Sequence, residues 1–134
     1  MIDQQYTYTY SYISKGRPLK PLKWVGSARR DLRAFPVGVR RHIGQALFAA
    51  QRGEEYSSVK ALKGFGGRSV LEIVAMDESG TYRAAYTVRF QDAIYVLHAF
   101  QKKSKTGITT PQKDMDLIRH RLAAAEQNYA TRQK

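Results

Sequence analysis

Two ionisable side chains sit in stretches otherwise filled with apolar residues: Glu72 in Ser69-Val-Leu-Glu-Ile-Val-Ala75 and His98 in Ile94-Tyr-Val-Leu-His-Ala-Phe100. Burial raises the pKa of a carboxyl group and lowers that of an imidazole, moving both toward neutrality, where a group can take up and return a proton. They are therefore the candidate base and acid, although a histidine on an apolar strand is more often a satisfied core residue. Arg83 lies in the segment Thr81 to Phe90, where period-two alternation turns Tyr82, Ala84, Tyr86, Val88 and Phe90 one way and Arg83, Thr87 and Arg89 the other. Its planar fork can hold two oxygens of one phosphate, and Glu72 can equally pair with Arg83 and only orient it. Lysines gather at Lys60 and Lys63, before the first of these strands, and in Lys102-Lys-Ser-Lys-Thr-Gly107, after the last.

The charge balance names the kind of partner. Lysine and arginine number 23 against 11 acidic residues, a formal net charge of +12. Such a field favours a polyanion: nucleic acid, an anionic membrane surface or an acidic protein; it also aids solubility. The absence of cysteine excludes disulfides, thiolate nucleophiles and cysteine metal sites. Gly64, Gly66 and Gly67 match neither a Walker loop nor a dinucleotide fingerprint. Asp114, Asp116 and three histidines do not make a metal constellation, so no metal and no cofactor is expected. No stretch nears the roughly 20 apolar residues of a membrane span, and the N-terminus does not read as a signal peptide. A cytoplasmic protein without a membrane partner is expected.

The elements that must position these residues follow from periodicity. Residues 1–19 read as an extension: Tyr6-Thr-Tyr-Thr-Tyr-Ser-Tyr12 suits a sticky strand or a disordered tail, and Ser14-Lys-Gly-Arg-Pro18 is linker-like. The tyrosine strip can stack RNA bases, or form an edge strand, or order on a partner. Residues 20–128 read as one domain. Leu22 to Val25 is a short strand, followed after Gly26 by a helix that Ser27 would cap, and Pro36 opens a second helix that Gly53 stops. The two helices are expected to form an α-hairpin. Three strands make an antiparallel meander with a turn at Asp77-Glu-Ser-Gly80, and Thr110 would cap a last helix with Pro111 in its first position. Fraying is expected from Asn128, leaving 129–134 as a tail. The fold class is α+β: an antiparallel sheet with an N-terminal helical hairpin and a C-terminal helix.

Leu62-Lys-Gly-Phe-Gly-Gly67, Leu71-Glu-Ile73, Tyr82-Arg-Ala-Ala-Tyr86 and Tyr95-Val-Leu-His-Ala-Phe-Gln-Lys-Lys-Ser-Lys105 occur in the order and spacing of a known group. With Leu47 to Gly53 and Thr110-Pro111, they resemble the HigB-like, phage-related branch of the RelE/ParE toxin superfamily over roughly residues 21 to 125. The resemblance implies a RelE-like fold whose basic concave face holds messenger RNA, often in the ribosomal A site, so that cleavage inhibits translation and arrests growth. It also implies a cognate antitoxin with a helix-turn-helix domain that covers this face.

Metal-independent RNA cleavage needs the ribose 2′-hydroxyl deprotonated, the phosphorane stabilised and the leaving oxygen protonated. The resemblance puts Arg83 on the scissile phosphate and Lys102 where RelE-like enzymes carry a catalytic arginine, with Glu72 and His98 left for proton transfer. Lys60, Lys63, Arg68, Lys103 and Lys105 would hold RNA. The sequence departs from the group at 108–110, where Ile-Thr-Thr replaces a tyrosine that many RelE-like enzymes carry, so the usual acid–base assignment does not transfer. Two other readings stay open: a ParE-like gyrase inhibitor, which cleaves nothing, and an inactive nucleic-acid-binding phage accessory protein.

Overall fold

Tight local bonding starts the central hairpin. Asp77 Oδ1 accepts the amide of Ser79 at 2.8 Å and its hydroxyl at 2.6 Å, and Gly80 follows at φ 141°, a value side chains rarely adopt. The computed structural model describes residues 2–3, 13–14, 17–67, 69–102 and 110–132. Its elements are β1 (Ile2–Asp3), β2 (Ile13–Ser14), β3 (Arg17–Pro18), β4 (Leu22–Val25), α1 (Ala28–Arg33), α2 (Val37–Gln51), β5 (Val59–Ala61), β6 (Val70–Asp77), β7 (Gly80–Thr87), β8 (Ile94–Lys102) and α3 (Gln112–Arg132). The tyrosine strip lies outside the described residues, while the segments beside it pair: Ile2 with Val25, and Ile13 with Pro18.

The main sheet runs in the order β1-β4-β8-β7-β6-β5. The expected meander β6-β7-β8 is present and antiparallel. The sheet as a whole is mixed, however, because β4 lies parallel to β8, with Leu22 opposite Ile94 and Trp24 opposite Val96. A four-residue strand carries no local sign of its partner's direction, since a parallel partner must come from across a long connection. The three-residue β5 adds an edge strand beside β6.

Both faces of the sheet are covered. On one face Leu32 of α1 and Ile43 and Leu47 of α2 pack on Trp24, Ile73, Tyr82, Tyr86 and Ile94; on the other, Ile118 and Leu122 of α3 pack on Val25, Val70, Ala85, Tyr95 and Leu97. This explains the apolar run of β8, which sits between β4 and β7. Each buried Leu or Ile contributes about 1.5–3 kcal/mol, so packing holds the layers together. The two N-terminal helices occur where expected but do not make a hairpin packed on itself: α1 lies chiefly on β8 and β4, and α2 on β6.

Two expected caps have other partners. Ser27 Oγ donates to Asp31 Oδ2 at 2.7 Å, and no side-chain bond to the backbone caps α1. Thr110 donates its hydroxyl to Glu72 Oε2 at 2.8 Å, although Pro111 does lead into α3. The fraying expected from Asn128 is not seen, because α3 continues to Arg132 and packs its end on the sheet through Tyr95 Oη, which donates to Asn128 Oδ1 at 2.5 Å. Among the described residues, no helix is long and apolar enough to cross a membrane.

Candidate functional site

Register alone brings the ionisable residues together. Lys60 stands opposite Glu72, Glu72 opposite Ala85, and Ala85 opposite His98, so one cross-strand row runs over four strands. Arg83, two residues from Ala85, shares its face, as does Lys102 at the end of β8. Strict alternation would have turned His98 the same way as Ile94 and Val96. A bulge prevents this: Ala85 pairs with His98 but Tyr86 with Val96, leaving Leu97 as the extra residue and moving His98 to the α3 side. Arg121 of α3 donates to the Leu97 carbonyl oxygen at 2.9 Å and holds the bulge.

At the centre is a buried ion pair. Glu72 has no exposed surface, and Arg83 is 3% exposed. Arg83 Nη1 donates to Glu72 Oε1 at 2.6 Å and Thr110 to Oε2, so both carboxylate oxygens are occupied. Arg83 Nε is buried without a hydrogen-bond partner among the described residues. Glu72 thus holds the Arg83 guanidinium in place.

Beside this pair opens a cleft of about 420 Å³ between the β5 edge and the start of α3. Ala61, Leu62 and Met115 give it apolar walls, Lys60 and Lys63 stand at its rim, and Glu72, Thr110 and Gln112 supply polar atoms. Lys60 and Lys63 are exposed, so their charges are free to meet a ligand. Lys102 is held below the ordinary lysine value, first by loss of hydration and then by the neighbouring cations Arg83 and Lys60, against the opposing pull of Glu72. Lys60, Arg83 and Lys102, from three strands, thus share one face of the sheet, and the charges of Arg83 and Lys60 reach Lys102.

His98 lies apart from the cleft, two strands from Glu72 and so about 10 Å across the sheet. Its Nε2 is 2.8 Å from Asp114 Oδ1, and its ring stacks on Phe100 with centroids 4.6 Å apart. Burial pushes it below the ordinary histidine value, with Asp114 pulling the other way. Nδ1 is buried without a partner among the described residues. Arg68, Lys103 and Lys105 lie outside the described residues. Among those described, no group of three or more His, Asp or Glu side chains stands close enough to hold a metal ion.

Thr110, Gln112 and Met115 were missed as site residues. The only available signal was the Thr-Pro start of a helix, which reads as a cap; that the cap position also faces the sheet is a tertiary fact. A mixed α+β sheet with a lysine-rimmed cleft beside a buried carboxylate–guanidinium pair defines a small basic α+β protein. The chain belongs to the phage-derived Gp49-like family (DUF891), a RelE/toxin-like family, whose pattern matches residues 30–123. That span includes every site residue named above. No curated protein is significantly similar to the chain.

Proposed function

We propose that the protein is the toxin of a type II toxin–antitoxin pair of the HigB-like kind, a metal-independent endoribonuclease that cuts messenger RNA and so inhibits translation and arrests growth. The observation that carries this reading is the convergence of Lys60, Arg83 and Lys102 on one face of the sheet, where loss of hydration and then the charges of Arg83 and Lys60 hold Lys102 below the ordinary lysine value. A phosphate placed among them relieves that repulsion, and the pentacoordinate transition state, with its extra charge, relieves it further. Lys102, half-exposed and more acidic than an ordinary lysine, is suited to protonate the leaving oxygen. Arg83, fixed by Glu72, supplies a directed cation behind it. His98 is engaged by Asp114 and is assigned no proton transfer.

The toxin acts in the cytoplasm, on messenger RNA either free or in the ribosomal A site, and is neutralised by a helix-turn-helix antitoxin that covers the same basic face. The test is brief induction followed by mapping of transcript ends. New ends within minutes, lost together with growth arrest in Lys102→Ala, are expected; removing one such donor costs about 10²–10³ in rate. Growth arrest without new ends, accompanied by loss of supercoiling, would make gyrase inhibition the better reading. Failure of the neighbouring gene product to copurify or relieve arrest would remove the antitoxin.

A further inference from the structure

We infer that the cleft beside the Glu72–Arg83 pair is a slot for one unstacked nucleobase of the RNA, with the phosphates on either side of that base held at the rim. The inference rests on the ribonuclease reading and deepens it by naming what the site reads.

The walls and the back of the cleft decide between base and phosphate. Ala61, Leu62 and Met115 present apolar surface, which suits the flat face of a base and not a hydrated anion. Glu72 closes the back as a carboxylate whose oxygens are both committed, to Arg83 and to Thr110. A phosphate driven inward would meet this charge without finding a donor. At the rim the preference reverses, because the exposed Lys60 and Lys63 flank the opening. A strand with its base in the slot and its backbone along the lysines satisfies both zones.

The polar atoms left over also discriminate among bases. Gln112 uses its amide nitrogen on Asp116 Oδ1 at 2.8 Å, so its carbonyl oxygen remains as an acceptor. Thr110 uses its hydroxyl hydrogen on Glu72, so its oxygen likewise accepts. Two acceptors match the exocyclic amino groups of adenine, cytosine and guanine. Uracil offers two carbonyl oxygens and a single imino hydrogen, and would leave these acceptors poorly paired.

Titration of the purified chain with AMP, CMP, GMP and UMP, read by backbone amide shifts, tests the slot. The amides of 60–63, 110 and 112–115 should move with the three amino-bearing nucleotides, and UMP should bind about tenfold more weakly. Gln112→Ala, at an exposed position, should fold normally and lose this discrimination. Met115→Trp should fill the slot and abolish all four responses, with circular dichroism checking the fold. In cells, cleavage by the wild type should avoid uridine at one position beside the cut, and Gln112→Ala should cut there. Transcript cleavage with no nucleotide response at these amides, or with the same base preference in Gln112→Ala, overturns the slot and leaves the ribonuclease. Nucleotide binding at these amides without any transcript cleavage supports the slot and overturns the ribonuclease.

Discussion

Glu72 and Arg83 are a charged pair with almost no contact with water, and their value lies in being complete. Desolvation of two such ions costs about as much as their attraction returns, whereas removing one partner strands the other at about 3–5 kcal/mol. Glu72→Gln should therefore lower the unfolding free energy by about 3 kcal/mol, while Glu72→Leu combined with Arg83→Met should cost much less than either single change. Urea denaturation of the single and double variants measures the difference. His98 makes a second demand. Because burial lowers its pKa in the folded state from 6.5, the fold favours the neutral ring. That contribution is complete above the unfolded value of 6.5 and is lost as pH falls through the lowered folded value. The urea midpoint should fall as pH drops below 6.5, and fall less in His98→Gln, which can still donate to Asp114. Both ionisable groups were legible in the sequence because their apolar neighbours announce burial. The pairing of Glu72 with Arg83 was legible too, but Thr110 and Asp114 were not: they sit at the start of a helix, and only the folded chain brings them back over the sheet.

The strands and helices that carry the site depend on one irregularity. The Leu97 bulge turns His98 toward α3, and Arg121 fastens it by bonding both the Leu97 carbonyl oxygen and Ser27 Oγ, the latter at 3.0 Å. Gly26 makes room for this arm: a Cβ there would lie 2.9 Å from the Arg121 guanidinium, and its φ of 59° disfavours any side chain. Gly26→Ala should cost about 1–3 kcal/mol, from backbone strain together with displacement of Arg121. Arg121→Ala should cost a similar amount, and the double variant less than the sum, because the first change already removes what the second deletes. Thermal melting of the four proteins reads this directly. The run from Ile94 to Phe100 declares a doubly covered strand, and it is one. A single extra residue within it leaves no mark on composition, and the parallel pairing of β4 leaves none either. Short apolar runs fix that a strand forms, while its direction and its slips are settled by what it meets.

Cations stand on both sides of the sheet. Arg29, Arg30, Arg33, Arg40 and Arg41 belong to α1 and α2, on one side of the sheet, while Lys60 and Lys63 line the cleft on the other and Lys102 shares that face at the end of β8. If the cleft face binds single-stranded RNA, each of Lys60→Ala, Lys63→Ala and Lys102→Ala should flatten the dependence of log affinity on log salt by about 0.7. Arg30→Ala and Arg41→Ala should leave that slope unchanged, and filter binding across a salt series separates the two sets. The net charge was legible from composition; its division between faces required the fold. The parallel pairing of β4 with β8 also fixes when the protein comes into being. Leu22 cannot meet Ile94 until that residue has been made, and synthesis adds about 5–20 residues per second. For those seconds α1 and α2 have no finished sheet to cover. Thr110 and Gln112, which complete the cleft, emerge later still. A copy whose synthesis stops before them carries the lysines of the rim without the slot they guard.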